Sequence, residues 1–195
     1  MPLWFDDAFG AWYLKVYPHR DKVEAQQALE FVLPRLNDPI LDIGCGTGRH
    51  LRTLAELNRH AFGVDRSEDL LREGAREKPS ILTARSDMRQ LPFASASFGS
   101  VLSMFTSFGY FDSHQEHVNL LKEWRRVTLP GGRLILDYLN PPFVTAGLKK
   151  TSERELEDGA RVLEHRRIRK DLDPSRVEKK VTLQQPNGEE LTSYT

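Results

Sequence analysis

The middle of the chain alternates short apolar runs with segments of helical period. The helical segments are 47–58, 67–78 and 113–127, and Ser67 and Ser113 stand where N-cap residues are preferred. The apolar runs predict five strands, at 40–43, 61–64, 81–83, 101–105 and 134–136. Alternation at this spacing is typical of right-handed crossovers. We therefore expect an α/β fold, a doubly wound and mainly parallel sheet with helices on both faces.

The two ends of the chain have different patterns. An aromatic stretch precedes a helical pattern over 21–36, in which Asp21 and Glu24 have capping-box spacing. Near the other end, charged strands are predicted at 161–170, 176–183 and 190–195, with turns at 173–175 and 186–188. These strands predict an antiparallel meander with a solvated outer face. Gly131 and Gly132 are predicted to form the turn into the fifth strand of the middle region.

Composition excludes several classes of protein. The 195 residues carry 28 Lys+Arg against 28 Asp+Glu, a balance that argues against a non-specific polyanion binder. No apolar run approaches the roughly 18 residues of a membrane helix, and the first residues carry acid where a signal peptide carries lysine. The single cysteine, Cys45, cannot form an internal disulfide or a cysteine-based metal cluster. We expect a cytoplasmic protein with no metal, nucleic-acid partner or membrane partner.

Candidate chemistry concentrates where the first predicted strand ends. Asp42 closes the strand, and Gly44, Gly46 and Gly48 recur at every second position before a helix begins. Glycines permit positive φ and close approach of a ligand, and a helix start offers free N–H groups. The dinucleotide fingerprint is not matched, because Arg49 stands where its third glycine belongs, and the Gly-Lys-Ser/Thr of a P-loop is absent. This loop alone is weak evidence for any one ligand.

The loop resembles the first motif of class I S-adenosylmethionine-dependent methyltransferases, and further motifs follow in the family's order. They are Asp65 after the second strand, Asp87 and Met88 after the third, and the runs at 91–93, 97–98 and 129–132. The resemblance covers about residues 38–140. Gly99 departs from it, since the family usually has Asp there. The resemblance implies the Rossmann-like methyltransferase fold, S-adenosylmethionine as cofactor and methyl transfer as the reaction.

The resemblance also implies which residues surround the cofactor. The loop passes its methionine part, and Asp65 holds both ribose hydroxyls, a task that suits the two acceptor oxygens of a carboxylate. Asp87 lies beside the adenine amino group. An amino-terminal lid is expected to contribute an aromatic residue and a cation. The full set of predicted cofactor contacts is Tyr17, Arg20, Asp42, Gly44, Cys45, Gly46, Thr47, Gly48, Asp65, Arg66, Asp87, Met88 and Met104.

The acceptor side is less sharply marked. Open α/β sheets bind ligands at the carboxyl ends of their strands, so aromatic residues there are candidates for an acceptor pocket, with core packing as the alternative. They are Phe105, Tyr110, Phe111 and Tyr138. Possible proton acceptors are His19, His114, His117, Asp137 and Tyr138, and no spacing singles one out. Methyl transfer from a sulfonium needs mainly positioning and exclusion of water.

Several readings of the function stay open. The Asn-Pro-Pro-Phe run at 140–143 resembles the signature of methyltransferases that act on amino groups, but it follows the fifth predicted strand instead of the fourth. We favour a methyltransferase for a small-molecule acceptor, similar to the ubiquinone-type bacterial branch. The alternatives are a non-catalytic cofactor-binding or assembly protein that pairs through 160–195, and a nucleic-acid or protein amino-methyltransferase. A homodimer through the meander is possible in either case.

The same resemblance sets the expected domains. Residues 1–143 are expected to form the Rossmann-like domain, with a lid over 1–37, and residues 144–195 the meander, as a substrate or dimer face. The family's sheet has seven strands, whereas five are predicted before the meander. An open sheet edge is an association hazard. We therefore expect a chain truncated at its carboxyl end, in preference to a partner chain that covers the edge.

Overall fold

The computed structural model describes residues 4–18, 22–111, 113–172 and 175–195. The chain divides into two compact units. One is Pro18–Tyr138, and the other joins Met1–Tyr17 to Leu139–Thr195. The capping residue Asp21 and the turn residues Asp173 and Pro174 lie outside the described residues.

In chain order the helices are α1 Trp4–Ala8, α2 Tyr13–Val16, α3 Lys22–Val32, α4 Arg49–Glu56, α5 Glu68–Glu77, α6 His114–Val127 and α7 Pro141–Gly147. Helices α3 to α6 lie within the four predicted helical segments, whereas α1, α2 and α7 were not predicted. Both N-cap predictions are confirmed. Ser67 Oγ accepts the Leu70 N–H at 3.2 Å, and Ser113 forms a reciprocal capping box with Glu116. No described helix is long and apolar enough to cross a membrane.

The larger unit is built on a parallel sheet with the order β3-β2-β1-β4-β5. Its strands are β1 Ile40–Ile43, β2 Ala61–Asp65, β3 Leu82–Arg85, β4 Phe98–Ser103 and β5 Thr128–Leu136. Every residue of β1 and β4 is buried, as expected for central strands covered on both faces. The predicted doubly wound fold is confirmed.

The prediction for Gly131 and Gly132 was wrong. These glycines lie inside β5 and do not form a turn before it. Phe98 pairs with Thr128, but Ser100 pairs with Arg133, so extra residues of β5 form a bulge against β4. Among the described residues β5 is an edge of the sheet.

Helix α6 fixes the segment that follows β3. The buried Trp124 donates its indole N–H to the Met88 carbonyl at 3.1 Å. On the same helix, Glu123 Oε1 accepts the Leu91 N–H at 2.7 Å, and Arg126 Nη2 donates to the Leu91 carbonyl at 3.2 Å. These bonds hold residues 88–91 against α6, directly after the predicted cofactor residue Asp87.

The smaller unit is an antiparallel sheet of the order β6-β7-β8-β9. Its strands are β6 Thr151–Glu155, β7 Arg161–Arg169, β8 Arg176–Gln184 and β9 Glu190–Tyr194. Three of them confirm the predicted meander, whereas β6 and α7 were not predicted. Asn140 caps α7, and two prolines occupy its first turn, where their missing N–H groups cost no hydrogen bond. The core of this unit comprises Val16, Ala160, Val162, Val181 and Leu183.

We predict that Gly74→Ala destabilises the protein, although helix propensity alone favours alanine inside α5 by about 0.5–1 kcal/mol. A Cβ on Gly74 would lie 2.2 Å from the Thr47 carbonyl oxygen, which is backbone and cannot move cheaply. We expect a loss of about 1–3 kcal/mol in the free energy of unfolding, measured by urea denaturation. Gly147→Ala is the control, because nothing lies within 4 Å of its Cβ position. Equal stability of the two variants would contradict the close packing of α5 on the loop.

Candidate functional site

The loop after β1 has the backbone that its glycines permit. Gly44, Gly46 and Gly48 have φ of 74°, 57° and 74°, the left-handed region in which a Cβ is strained. The N–H groups of Gly44 and Cys45 both donate to the Val64 carbonyl, at 2.8 and 3.0 Å. The loop is therefore anchored to the end of β2 and passes across the carboxyl edge of the sheet.

The carboxylate of Asp65 links this loop to the start of α5. Its Oδ2 accepts the Gly46 N–H at 2.7 Å, and its Oδ1 accepts the Ser67 N–H at 2.8 Å. Burial raises the pKa of Asp65 and the charge of Asp42 adds to the rise, whereas hydrogen bonds from the backbone N–H groups of Ser67, Gly46 and Arg66 oppose it. A carboxylate offers about four acceptor sites. Asp65 therefore holds the loop in place and keeps capacity to accept hydroxyl groups.

Asp87, after β3, is bound by two arginines. Its Oδ1 accepts the backbone N–H and Nε of Arg89, at 2.9 and 3.0 Å. Its Oδ2 accepts Arg89 Nη2 at 2.7 Å and Arg66 Nη1 at 3.1 Å. Burial raises the pKa of Asp87, but the hydrogen bonds and charges of the two arginines outweigh it and hold the pKa below its usual value.

Two more predicted cofactor residues, Met88 and Met104, also lie along this edge of the larger unit. A Cβ on Gly44 would be 3.9 Å from Met88 Cε and 2.7 Å from Ser107 Oγ. Ser107 Oγ donates in turn to the carbonyl of the buried Met104, at 3.0 Å. The structure therefore brings the ends of β1, β3 and β4 together at Gly44.

Thr47 and Cys45 make structural contacts. The Thr47 carbonyl accepts Arg52 Nη1 at 2.8 Å. Cys45 is buried beneath Gly63, where a Cβ would lie 2.7 Å from its Sγ. Burial and the neighbouring carboxylate charges of Asp42 and Asp65 raise the pKa of the Cys45 thiol well above its usual value, so the thiolate needed for nucleophilic chemistry is disfavoured.

Sequence reasoning missed a buried pair beneath the loop. His50, in the first turn of α4, places its Nδ1 3.4 Å from Asp42 Oδ2, and both side chains are almost fully buried. The His50 ring stacks on Phe105, with ring centroids 5.4 Å apart and an interplanar angle of 19°. The only signal in the sequence was the place of His50 directly after the glycine loop.

The four acceptor-pocket candidates do not form one cluster. Phe105 packs against α4, where the Arg49 guanidinium lies 4.0 Å from its ring centroid. Phe111 is buried and packs against His117 of α6. Tyr138 is half-exposed and would lie 2.8 Å from a Cβ on Gly109. Tyr110, in the same loop, is partly buried.

The turn after β4 is strained and is held by Asp137. Phe105 and Thr106 have φ of 54° and 63°, a conformation that costs about 1–2 kcal/mol for a residue with a Cβ. Asp137 Oδ2 accepts the Phe105 N–H at 2.9 Å, and the Asp137 carbonyl accepts the Thr106 N–H at 3.2 Å. Asp137, directly after β5, therefore sets the shape of this turn through one side-chain and one backbone acceptor.

Two cofactor contacts were predicted in the lid, Tyr17 and Arg20, and of these Tyr17 belongs to the smaller unit. Tyr17 Oη accepts Lys179 Nζ at 2.7 Å, and the same ammonium lies 3.4 Å from Glu164 Oε1. Arg20 and His19 are among the residues that the structure does not describe.

Two further features bear on the location of the site. A cavity of about 180 Å³ lies at the amino-terminal ends of β2 and β3, opposite the glycine loop, and contains no predicted site residue. Within the described ranges, no group of three or more His, Cys, Asp or Glu side chains could hold a metal ion. The geometry of the strand ends, and not the cavity, therefore defines the candidate site.

Comparison with known proteins agrees with this geometry. Residues 40–132 match the family model described as "Methyltransferase domain". A demethylmenaquinone methyltransferase of Beutenbergia cavernae is 32% identical over 124 residues, which are 63% of this chain and 50% of that protein. Residues 40–132 are a methyltransferase domain of the class I S-adenosylmethionine-dependent type. The motif order seen in the sequence is the order of that family.

Two further similarities extend this result. A dTDP-3-amino-3,6-dideoxy-alpha-D-glucopyranose N,N-dimethyltransferase of Streptomyces fradiae is 31% identical over 114 residues, which are 55% of this chain and 44% of that protein. The solved structure of SAM-bound CalS10, an amino pentose methyltransferase from Micromonospora echinaspora, shares the fold, with a TM-score of 0.66 at 22% identity. This likeness covers 94% of this chain and 81% of that chain. The chain spans half or less of the length of the two sequence relatives.

We predict that Asp137 stabilises the turn after β4 through its acceptor oxygen and not through its charge. Asp137→Ala removes the acceptor of the Phe105 N–H and should lower the free energy of unfolding by about 1 kcal/mol. Asp137→Asn keeps an oxygen at the same place and should stay close to the wild type. Denaturant unfolding measures both variants. The assignment fails if the asparagine variant loses as much stability as the alanine variant.

Proposed function

We propose that the chain binds S-adenosylmethionine at the carboxyl ends of β1, β2 and β3 and transfers its methyl group to a small-molecule acceptor. The observation that carries the proposal is the Asp65 carboxylate, partly buried where β2 ends and hydrogen-bonded to the glycine loop through Gly46. This arrangement places an anionic acceptor of hydroxyl groups beside a loop that admits a close ligand.

The residues present fit such a cofactor. The vicinal hydroxyls of a ribose need two acceptor oxygens, and Asp65 supplies both. A Cβ on Gly46 would meet only Leu70 Cδ1, at 3.8 Å, so the loop backbone is unobstructed at this point. Asp87 and Met88 follow β3 on the same edge of the sheet and suit a purine with an amino group, since one accepts hydrogen bonds and the other offers an apolar surface.

The mechanism that we propose rests mainly on positioning. S-adenosylmethionine supplies a methyl group on an activated sulfonium when it is bound. The glycine loop and Asp65 fix the cofactor at the end of β2, and Met104 and the strained turn at Phe105 and Thr106 present the end of β4 to the acceptor. Holding the acceptor at near-attack distance and excluding water supplies most of the catalytic effect in such a reaction.

We assign no general base. Among the candidates, Asp137 accepts the Phe105 N–H, and His117 packs against Phe108 and Phe111, with ring centroids 5.1 and 5.9 Å away. His114 is exposed at the first residue of α6. An acceptor that is nucleophilic as a neutral amine or an activated ring carbon needs little help from such a base.

The acceptor class is argued from the sequence relatives. One relative is named for a demethylated menaquinone and the other for an amino sugar linked to a nucleotide. Both are small molecules, and the 28 basic and 28 acidic residues of this chain do not favour a polyanionic acceptor. We therefore propose a small-molecule acceptor that is methylated in the cytoplasm. We propose that the smaller unit serves to select the acceptor or to form a homodimer.

We predict that Asp65→Ala weakens binding of S-adenosylhomocysteine about tenfold to a hundredfold or more, because hydrogen bonds to a charged group contribute about 1.5–3 kcal/mol each. Isothermal titration calorimetry measures the dissociation constant. The control is Asp69→Ala, which removes an exposed carboxylate from the first turn of α5. Unchanged affinity in the Asp65 variant, or no binding to the wild type, would sink the proposal.

Turnover separates an enzyme from a non-catalytic cofactor-binding protein. Wild-type chain is incubated with S-adenosylmethionine and a panel that includes a demethylated quinol and a nucleotide-linked amino sugar. We expect S-adenosylhomocysteine to form with at least one acceptor and to fall with Asp65→Ala in proportion to cofactor occupancy. Tight cofactor binding without product from any acceptor would favour the non-catalytic alternative.

We predict that cofactor affinity falls on acidification and that the fall begins above the usual aspartate pKa of about 3.9. Burial raises the pKa of Asp65, so its carboxylate is protonated at a higher pH than an exposed one and loses acceptor capacity. The same raised pKa means that this carboxyl group's contribution to folding stability decreases as pH rises from the unfolded value to the folded one. Titrations with S-adenosylhomocysteine between pH 4 and 8 test the binding effect, and Asp65→Asn should remove that pH dependence.

A further inference from the structure

All the acceptor sites of the Asp87 carboxylate are occupied by donors of its own chain. A carboxylate has about four acceptor sites. Arg89 occupies three of them, through its backbone N–H, Nε and Nη2, and Arg66 Nη1 occupies the fourth. A ligand amino group therefore finds no open acceptor site on Asp87 until one of these donors leaves.

The two arginines differ in how firmly they are held. Arg89 binds both Asp87 oxygens at 2.7–3.0 Å, lies over the Phe111 ring at 4.8 Å and approaches Glu116 at 3.6 Å. Arg66 gives Asp87 one hydrogen bond, at 3.1 Å, from a side chain that is 41% exposed. Displacing Arg66 therefore breaks one long bond, and its guanidinium can regain hydrogen bonds from water. Displacing the Arg89 guanidinium would break two hydrogen bonds, and the Arg89 backbone N–H would still occupy Oδ1.

We propose that Arg66 is a displaceable partner of Asp87, whose guanidinium must leave Oδ2 before that carboxylate accepts the amino group of the cofactor's adenine. This inference rests on the proposed function, since it takes Asp87 as the acceptor at the adenine end. Arg66 therefore lowers the affinity for the cofactor, because it competes with the 6-amino group for Asp87. Removing its side chain exposes an acceptor site that the wild type must first vacate.

The geometry also predicts selectivity among purines. A 6-amino purine donates to Asp87 and has to displace Arg66. A 6-oxo purine offers a carbonyl oxygen at the same position, which cannot donate to a carboxylate but can accept from the Arg66 guanidinium. Arg66 is then a competitor for the first ligand and a partner for the second. The two ligands should respond in opposite directions when Arg66 is removed.

The test compares S-adenosylhomocysteine with S-inosylhomocysteine, its 6-oxo counterpart, by calorimetry on the wild-type chain and on Arg66→Ala. We expect the variant to bind S-adenosylhomocysteine about two- to fivefold more tightly, which is the range for loss of a partly exposed ion pair. We expect S-inosylhomocysteine to bind no more tightly to the variant than to the wild type. Arg72→Ala is the matched control, because it removes a neighbouring exposed cation that pairs with Glu68.

Salt gives a second readout. Raising the salt concentration from about 50 to 500 mM screens the contact between Arg66 and Asp87. The affinity of the wild type for S-adenosylhomocysteine should then move toward that of Arg66→Ala, while the affinity of the variant changes less. Unchanged or weaker binding of S-adenosylhomocysteine by Arg66→Ala, with wild-type binding that still depends on Asp65, would overturn this inference alone. Failure of the wild type to bind at all would overturn the proposed function with it.

Discussion

The site depends on one interaction, the hydrogen bonds that the partly buried Asp65 carboxylate accepts from the backbone N–H groups of Gly46 and Ser67. Through it the end of β2, the glycine loop and the start of α5 become one rigid piece. In the function that we propose, the same carboxylate accepts the ribose hydroxyls, so one group would both shape the loop and bind the cofactor. Burial raises the pKa of Asp65, because the charged carboxylate is less well solvated there than in water.

The two carboxylates of the site are prepared differently. Asp65 is held by backbone donors and keeps free acceptor capacity, whereas Asp87 is filled by the side chains of Arg66 and Arg89. In the binding mode that we propose, Asp65 is preorganised for the ribose, whereas Asp87 has to exchange a partner on binding. On the acceptor side, the strained turn at Phe105 is held by bonds from the end of β5, a place where strain is expected to serve function.

Most of the fold could be predicted because its signals are local. Strand periods, the caps at Ser67 and Ser113 and the parallel sheet all follow from residues a few positions apart. The predictions were wrong or incomplete where residues far apart in the sequence determine the structure. Gly131 lies inside β5 because β4 pairs with residues on both sides of it. Strand β6 went unpredicted because its short, charged sequence is stabilised by pairing with β7.

The sequence by itself determined the glycine loop and the order of the acids, since a left-handed backbone needs glycine and parallel strands end at one edge. Only the tertiary structure decided which side chains share a carboxylate. Arg66 and Arg89 follow different strands and meet at Asp87 because β2 and β3 are neighbours. It likewise placed Phe105 against α4 and Phe111 against α6. Hydrogen-bond partners and packing faces are set by three-dimensional neighbours, and no spacing along the chain records them.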